Sequence, residues 1–216
     1  MNIKVQLGIS NRHLHLTKEV YEMLFDEELT IKKELLQPGE FASNQVVTIK
    51  GSKGEIANVR ILGPFRNYNQ VEVSRHDSRT LGVNPPVRKS GDLAGSESIT
   101  VIGPKGSVDL TESCIIANRH LHMTTEDANK LNLKNDQKVK VVIPGDKSGI
   151  IDVYAKITDK ASTELHLDTD DANAFLLKGD ELLDVTLFDD ITLTNDLYPL
   201  CLYITAEYPF LFTYTS

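Results

Sequence analysis

Tryptophan is absent from this chain, and cysteine occurs only twice, at Cys114 and Cys201. Two thiols cannot build the disulfide framework that small secreted domains rely on, so a reducing cytoplasm is the expected setting. Basic residues are also few: Lys and Arg number 23 against 31 Asp and Glu, a formal net charge of -8. A nucleic-acid partner is not expected, because neutralising a phosphate backbone needs a basic surface and no long Lys/Arg run is present. Uninterrupted apolar stretches are missing as well. The nearest approach, LYPLCLYITAEYPFLFTY at 197–214, is broken by Pro199, Glu207 and Pro209, whereas a membrane-spanning helix needs about 20 mostly apolar residues. No membrane partner is expected, and this tail reads as a strand pair that packs on the body or on a second copy in a homodimer. The N-terminus MNIKVQLGIS has no charged leader followed by an apolar core, and reads as a strand of the mature fold.

What is present is the composition of a folded globular protein, 40% hydrophobic and 25% charged over 216 residues, enough for one large or two small domains. Alternation of apolar and polar residues dominates. VQLGIS, QVVTIKG, EIANVRILGP, NQVEVSR, SITVIGPKGSVDL, KVKVVIPG, GIIDVYAKIT and ELLDVTLF all have the period of short strands closed by Gly, Pro, Asp or Asn. So many short strands point to barrels or sandwiches. Helical segments are expected to be few and short, chiefly at 17–25, 124–131 and 170–177. Thr17 and Thr124 stand at the N-cap positions, with acidic residues in the following turn.

One motif occurs twice. SNRHLHLTKEV at 10–20 returns as ANRHLHMTTED at 117–127, in a chain with six histidines. Each copy runs from an apolar strand through Asn-Arg-His-Leu-His to Thr and a short acidic helix, so a duplicated β-rich unit is the natural inference. The Gly-, Pro- and Ser-rich stretch GVNPPVRKSGDLAGS at 82–96 is the best boundary. The expected fold is therefore mainly β: two β-barrel domains related by internal duplication, with a few short helices. The expected divisions are 1–88, 89–187 and an atypical C-terminal tail, 188–216.

In a strand, side chains two apart share a face, so each His-x-His presents two imidazoles side by side. That arrangement suits metal ligation, and zinc accepts His nitrogen and carboxylate oxygen. His120, His122 and His166 make one candidate triad. His13 and His15 need a third partner, for which Glu72 in NQVEVS and His76 compete; Glu72 is an acidic residue within an apolar-alternating strand, where burial would demand a cation. Lys53, Arg60 and Arg66 lie on consecutive segments leading to Glu72. Their plain reading is solvated surface charge, but Arg66 follows a Gly-Pro turn that could aim its planar fork at phosphate. Arg12 and Arg119, within the repeated motif, point away from their neighbouring histidines on a regular strand and could tie the domains together.

Taken in order, SNRHLHLT, GPFRNYNQVEVSRHD, SGDLAGS, ANRHLHMTTEDA and ELHLDTDDANA resemble the PduL-type phosphate acyltransferases, or phosphate propanoyltransferases, over about residues 3–187. Members of that family are two-barrel enzymes with two zinc ions between the barrels; they exchange the coenzyme A of an acyl-CoA for inorganic phosphate. The resemblance implies that His13, His15 and Glu72 hold one zinc and that His120, His122 and His166 hold the other. It places Arg66 on the catalytic, phosphate-binding arginine. The coenzyme A contacts correspond to Ile9, Ser10, Asn11, Lys53, Arg60 and Asn173. Encapsulated members tend to carry an amphipathic N-terminal extension; the first strand here starts almost at Met1, which favours a free cytoplasmic enzyme over one in a bacterial microcompartment. Acyl-CoA, propanoyl or acetyl, and inorganic phosphate are the expected partners. Two other readings use the same residues: a two-metal hydrolase of thioesters or phosphoesters, and a non-catalytic module whose zincs clamp two barrels.

Overall fold

Apolar-polar alternation yields strands wherever it was expected. The computed structural model describes residues 1–189. In chain order the elements are β1 (Asn2–Ser10), β2 (His13–His15), α1 (Lys18–Leu24), β3 (Ile31–Glu34), β4 (Phe41–Lys50), β5 (Glu55–Gly63), β6 (Gln70–Glu72), α2 (Arg75–Leu81), β7 (Val87–Arg88), β8 (Glu97–Ile102) and β9 (Ser107–Ala117). There follow β10 (His120–Met123), α3 (Thr125–Lys130), β11 (Lys138–Ile143), β12 (Gly149–Ile157), β13 (Glu164–Asp168), α4 (Thr169–Ala174) and β14 (Leu182–Asp189).

The strands close into two six-membered rings. The first runs β4-β5-β2-β6-β9-β8 and returns to β4, with β3 and β7 added outside the ring. The second runs β1-β13-β10-β12-β11-β14 and returns to β1. Pairing is the same in both. Each His-Leu-His strand lies between a parallel neighbour, β5 or β12, and an antiparallel one, β6 or β13.

Strands are also exchanged. β1 leads into the first His-Leu-His yet belongs to the second barrel, where it pairs in parallel with β13; β9 leads into the second His-Leu-His yet pairs in parallel with β6 of the first. Barrel membership therefore crosses the division expected at 88/89: residues 2–10 complete the second barrel, and β8 and β9 complete the first. Local alternation marks a segment as a strand without saying which sheet it joins. The expected tail, 188–216, falls almost wholly outside the described residues, as does Cys201.

Every second residue of the ring strands faces a core. Leu14, Val47, Ile49, Val59, Ile61 and Val71 fill the first barrel; Leu7, Leu121, Val139, Val141, Val153 and Leu165 fill the second. A fully buried Leu or Ile contributes about 1.5–3 kcal/mol. The leucine of each His-Leu-His is among these core residues, which sends both flanking imidazoles to the outer face of its barrel.

Thr17 and Thr124 cap α1 and α3 as expected, their hydroxyls accepting from the amides of Val20 and Asp127 at 3.3 and 3.0 Å. α4 starts earlier and ends sooner than 170–177. Asp168 caps it, and Leu176 takes a positive φ of 56° that closes the run. α2 was not expected. Its seven residues RHDSRTL lack an apolar period, and it is held instead by a Ser74/Asp77 capping box and by Gly82 in the left-handed region, φ 73°. No helix among the described residues is long and apolar enough to cross a membrane.

Candidate active site and metal centre

Both His-Leu-His motifs open onto one crevice between the barrels, lined by Ser10, Asn11, Arg12, His13, Glu72 and Ser74 from one side of the repeat and Asn118, Arg119, His120, His166 and Asp168 from the other. Strand register gathers the third ligand of each set: His13 stands opposite Glu72, and His120 opposite His166. The result is two clusters, His13/His15/Glu72 and His120/His122/His166, each with its ligand atoms within 4.8 Å of one another. His76 joins neither. It is exposed on α2, where its amide donates to Asp170 Oδ2 at 2.8 Å.

The ring nitrogens are oriented for ligation. His13 Nδ1 lies 2.8 Å from the carbonyl oxygen of Asn11, and His120 Nδ1 lies 2.9 Å from that of Asn118. A carbonyl cannot donate, so Nδ1 carries the proton in both rings and Nε2 keeps its lone pair. His120 Nε2 is 3.1 Å from His122 Nε2, and His13 Nε2 is 3.4 Å from Glu72 Oε2. Burial, with the neighbouring imidazoles and the cations Arg66 and Lys156, lowers His15 to about 2 and His122, without Arg66, to about 2 as well; burial lowers His120 in the same way. Imidazoles gathered with their ligand atoms within 4.8 Å of one another, three in one set and two with a carboxylate in the other, form donor sets that fit zinc.

The crossing segments are clamped. The chain leaves the second barrel at Ser10 and enters the first at His13, and between them Arg12 pairs with the buried Asp77 of α2. At the reverse crossing Arg119 forms a two-pronged pair with Asp171 of α4, 2.8 and 2.7 Å. Each motif arginine thus fixes the chain where it passes from one barrel to the other, on a helix of the barrel it enters.

Gly8 makes room for the second cluster. It sits opposite His166 in the β1-β13 register, and a Cβ there would lie within 2.7 Å of the His166 ring and Glu164 Oε1.

Arg66 is tethered beside the first cluster. Its Nη1 donates to Tyr68 Oη at 2.7 Å and Ser90 Oγ at 3.3 Å, and its Nη2 to Glu40 Oε1 at 3.0 Å. Gln70 Nε2 donates to the same Ser90 oxygen at 2.8 Å and to Glu72 Oε1 at 2.6 Å. A continuous chain of hydrogen bonds therefore joins the guanidinium to a candidate metal ligand. Of the remaining residues singled out in the sequence, Ser10 and Asn11 line the crevice, while Arg60 lies beside His13 in register with its Nη1 on the Ser43 carbonyl at 2.6 Å. Ile9 packs against the second core. Lys53, in the β4–β5 turn, and Asn173, on α4, are exposed and line no part of the crevice.

The family model described as phosphate propanoyltransferase matches residues 6–178. This chain belongs to that acyltransferase family. Phosphate propanoyltransferases among its relatives include that of Thermotoga maritima, 51% identical over 149 residues covering 68% of this chain and 71% of the relative. The Citrobacter freundii protein of the same name is 47% identical over 68% of this chain and 70% of its own, and the Rhodobacter capsulatus one 44% identical over 73% and 74%.

Several residues of this phosphate propanoyltransferase family site escaped the sequence reading. Glu164 pairs with His166 Nε2 at 2.9 Å and accepts from Gln37 Nε2 at 2.5 Å. Burial pushes its carboxyl up, and the bonds to His166 and Gln37 outweigh that and hold it below the ordinary value. Its spacing to His166, the same x-x+2 step as in His-Leu-His, was the available signal. Gln70, Ser90, Gln37 and Glu40 carry no such pattern. Cys114, the one cysteine among the described residues, is buried, and its thiol is pushed up to about 12 by that burial and by Glu97.

Proposed function

We propose that the protein transfers a short acyl group, propanoyl or acetyl, from coenzyme A to inorganic phosphate at a two-zinc site between its barrels. The observation that carries this reading is the convergence of two ligand clusters on one crevice, with Arg66 hydrogen-bonded through Ser90 and Gln70 to Glu72. His13, His15 and Glu72 would hold one ion and His120, His122 and His166 the other. Lewis-acid polarisation of a thioester carbonyl and charge stabilisation of a thiolate are what bound zinc supplies at such a place.

Phosphate attacks thioesters poorly because its oxygens are hydrated and both reactants are anionic. The Arg66 guanidinium offsets that repulsion and, held on Tyr68 and Ser90, fixes the phosphate in position. A phosphate oxygen then bonds to the acyl carbon, the carbon–sulfur bond breaks, and coenzyme A leaves as thiolate. The displacement is direct, without an acyl-enzyme: Cys114, the one cysteine among the described residues, is buried and held as a thiol. Ile9, Ser10 and Asn11 at the end of β1, with Lys53, Arg60 and Asn173, would contact coenzyme A.

The experiment is acyl-phosphate formation from propanoyl-CoA and acetyl-CoA with purified, zinc-analysed protein, with coenzyme A release followed in the presence and absence of phosphate. Phosphate-dependent release with acyl phosphate as product is expected. Release that ignores phosphate would mark a hydrolase instead, and no release from either thioester would leave a clamp without chemistry.

A further inference from the structure

Register across β12, β10 and β13 lays a grid on the outer face of the second barrel. Tyr154, His120 and His166 form one row; Lys156, His122 and Glu164 form the next. Residues paired across neighbouring strands project to the same side, so Lys156 stands beside the second cluster on the face that carries its imidazoles. In the first barrel the row of His13 and Glu72 begins with Arg60, whose Nη1 is committed to backbone carbonyls of Ser43 and Asn44. Lys156, half-buried, has no hydrogen-bond or ion-pair partner among the described residues.

A cavity of about 280 Å³ lies against Lys156 and is lined also by His120, Tyr154, Ser90 and Lys89. Lys89 is neutralised by Asp136 at 2.7 Å. Among the described residues, Lys156 is therefore the uncompensated charge of this wall. Ser90 joins the wall to the other barrel, since its hydroxyl receives Arg66 Nη1 and Gln70 Nε2. Arg66 and Lys156 both lie near enough to His15 for their charges to bear on it. A lysine withdrawn from water without a counter-ion is costly until an anion reaches it.

We propose that Lys156 is a second phosphate-binding residue, gripping from the second barrel the phosphoryl group that Arg66 grips from the first. This rests on the acyl-transfer reading. Coenzyme A also carries phosphates, and the proposal commits to the inorganic one, because the cavity meets Ser90 and His120 rather than the exposed Lys53 and Asn173.

The test titrates inorganic phosphate calorimetrically into the zinc-loaded full chain, as wild type, Lys156→Met and Lys156→Arg, and measures KM for phosphate and for propanoyl-CoA separately, all per bound zinc. Lys156→Met should weaken phosphate binding and raise the phosphate KM about tenfold or more, the weight of one charge-assisted hydrogen bond. Lys156→Arg should recover most of that, and the propanoyl-CoA KM should change less than about twofold. Unchanged phosphate affinity would overturn the proposal, as would a rise confined to propanoyl-CoA, which would assign the lysine to coenzyme A. Wild-type protein that makes no acyl phosphate would count against the proposed function, while the phosphate titration would still decide the role of Lys156.

Discussion

The two ligand clusters are built on the same three-strand frame but place their carboxylates differently. In the first barrel the residue opposite the leading histidine is Glu72, and two positions earlier stands the neutral Gln70; in the second barrel the same two places hold His166 and Glu164. Each cluster thus keeps one carboxylate. In the first it is a candidate ligand, and in the second it pairs with one. Duplication has retained what sets ring geometry, the Asn carbonyl under Nδ1 and the core leucine between the imidazoles, and has let charge move by one step along the strand. A carboxylate ligand neutralises its ion directly, whereas a carboxylate behind an imidazole orients and strengthens the ring.

The sharpest way to break this comparison is to remove one ligand from each half. His13→Ala and His120→Ala should each cost one zinc per chain and bring acyl-phosphate formation to background, read by metal analysis beside the assay. Retained zinc with full activity in either variant would remove that histidine from the site. Next, Arg66→Ala should lower kcat/KM for phosphate about 100-fold, since a bidentate guanidinium contact is lost; His166 and Glu164 offer no guanidinium to replace it, so a small effect would mean that phosphate is held elsewhere.

The clusters should also show themselves in metal-free protein as pH falls. His15, His120 and His122 all have folded values depressed below the ordinary 6.5. Below that pH the unfolded chain binds protons that the folded chain refuses, so stability that is complete above about 6.5 is lost progressively on acidification. The urea midpoint of metal-free protein should be flat from pH 8 to 7 and should drop from about 6.5 downward, and zinc should raise the midpoint near pH 7 without removing that drop. A pH-independent midpoint would contradict buried neutral imidazoles.

The smallest expected difference lies between the two clamps. Asp77 is almost fully buried and Asp171 less so, with side-chain exposures of 3% and 16%. Arg12→Ala should therefore cost about 1–3 kcal/mol and Arg119→Ala about 1 kcal/mol, measured by urea unfolding. Equal costs would mean that burial of the carboxylate is not what separates them.

The parts legible in the sequence were those with a short period. His-Leu-His, the strands and the Thr caps follow from residues two to four apart, and both ligand triads were assembled from them with a resemblance to guide the third members. Glu72 or His76 could not be chosen on spacing alone; the β2–β6 register makes the choice, because only Glu72 stands opposite His13. The exchange of β1 and β9 was invisible, since parallel pairing between distant strands leaves no local mark. α2 was missed because it is held by its caps rather than by an apolar stripe. Lys156 gave no signal at all: KVKVV and YAKIT look alike as strand lysines, and only the register beside His122 separates the second from ordinary surface charge.

The most direct measurement is an anomalous difference map collected at the zinc edge from crystals of the purified protein. Two peaks are expected in the crevice between the barrels, one bonded to His13, His15 and Glu72 and one to His120, His122 and His166. A crevice without a peak, or one ion bound away from either triad, would contradict the paired metal centre on which the acyl-transfer chemistry depends.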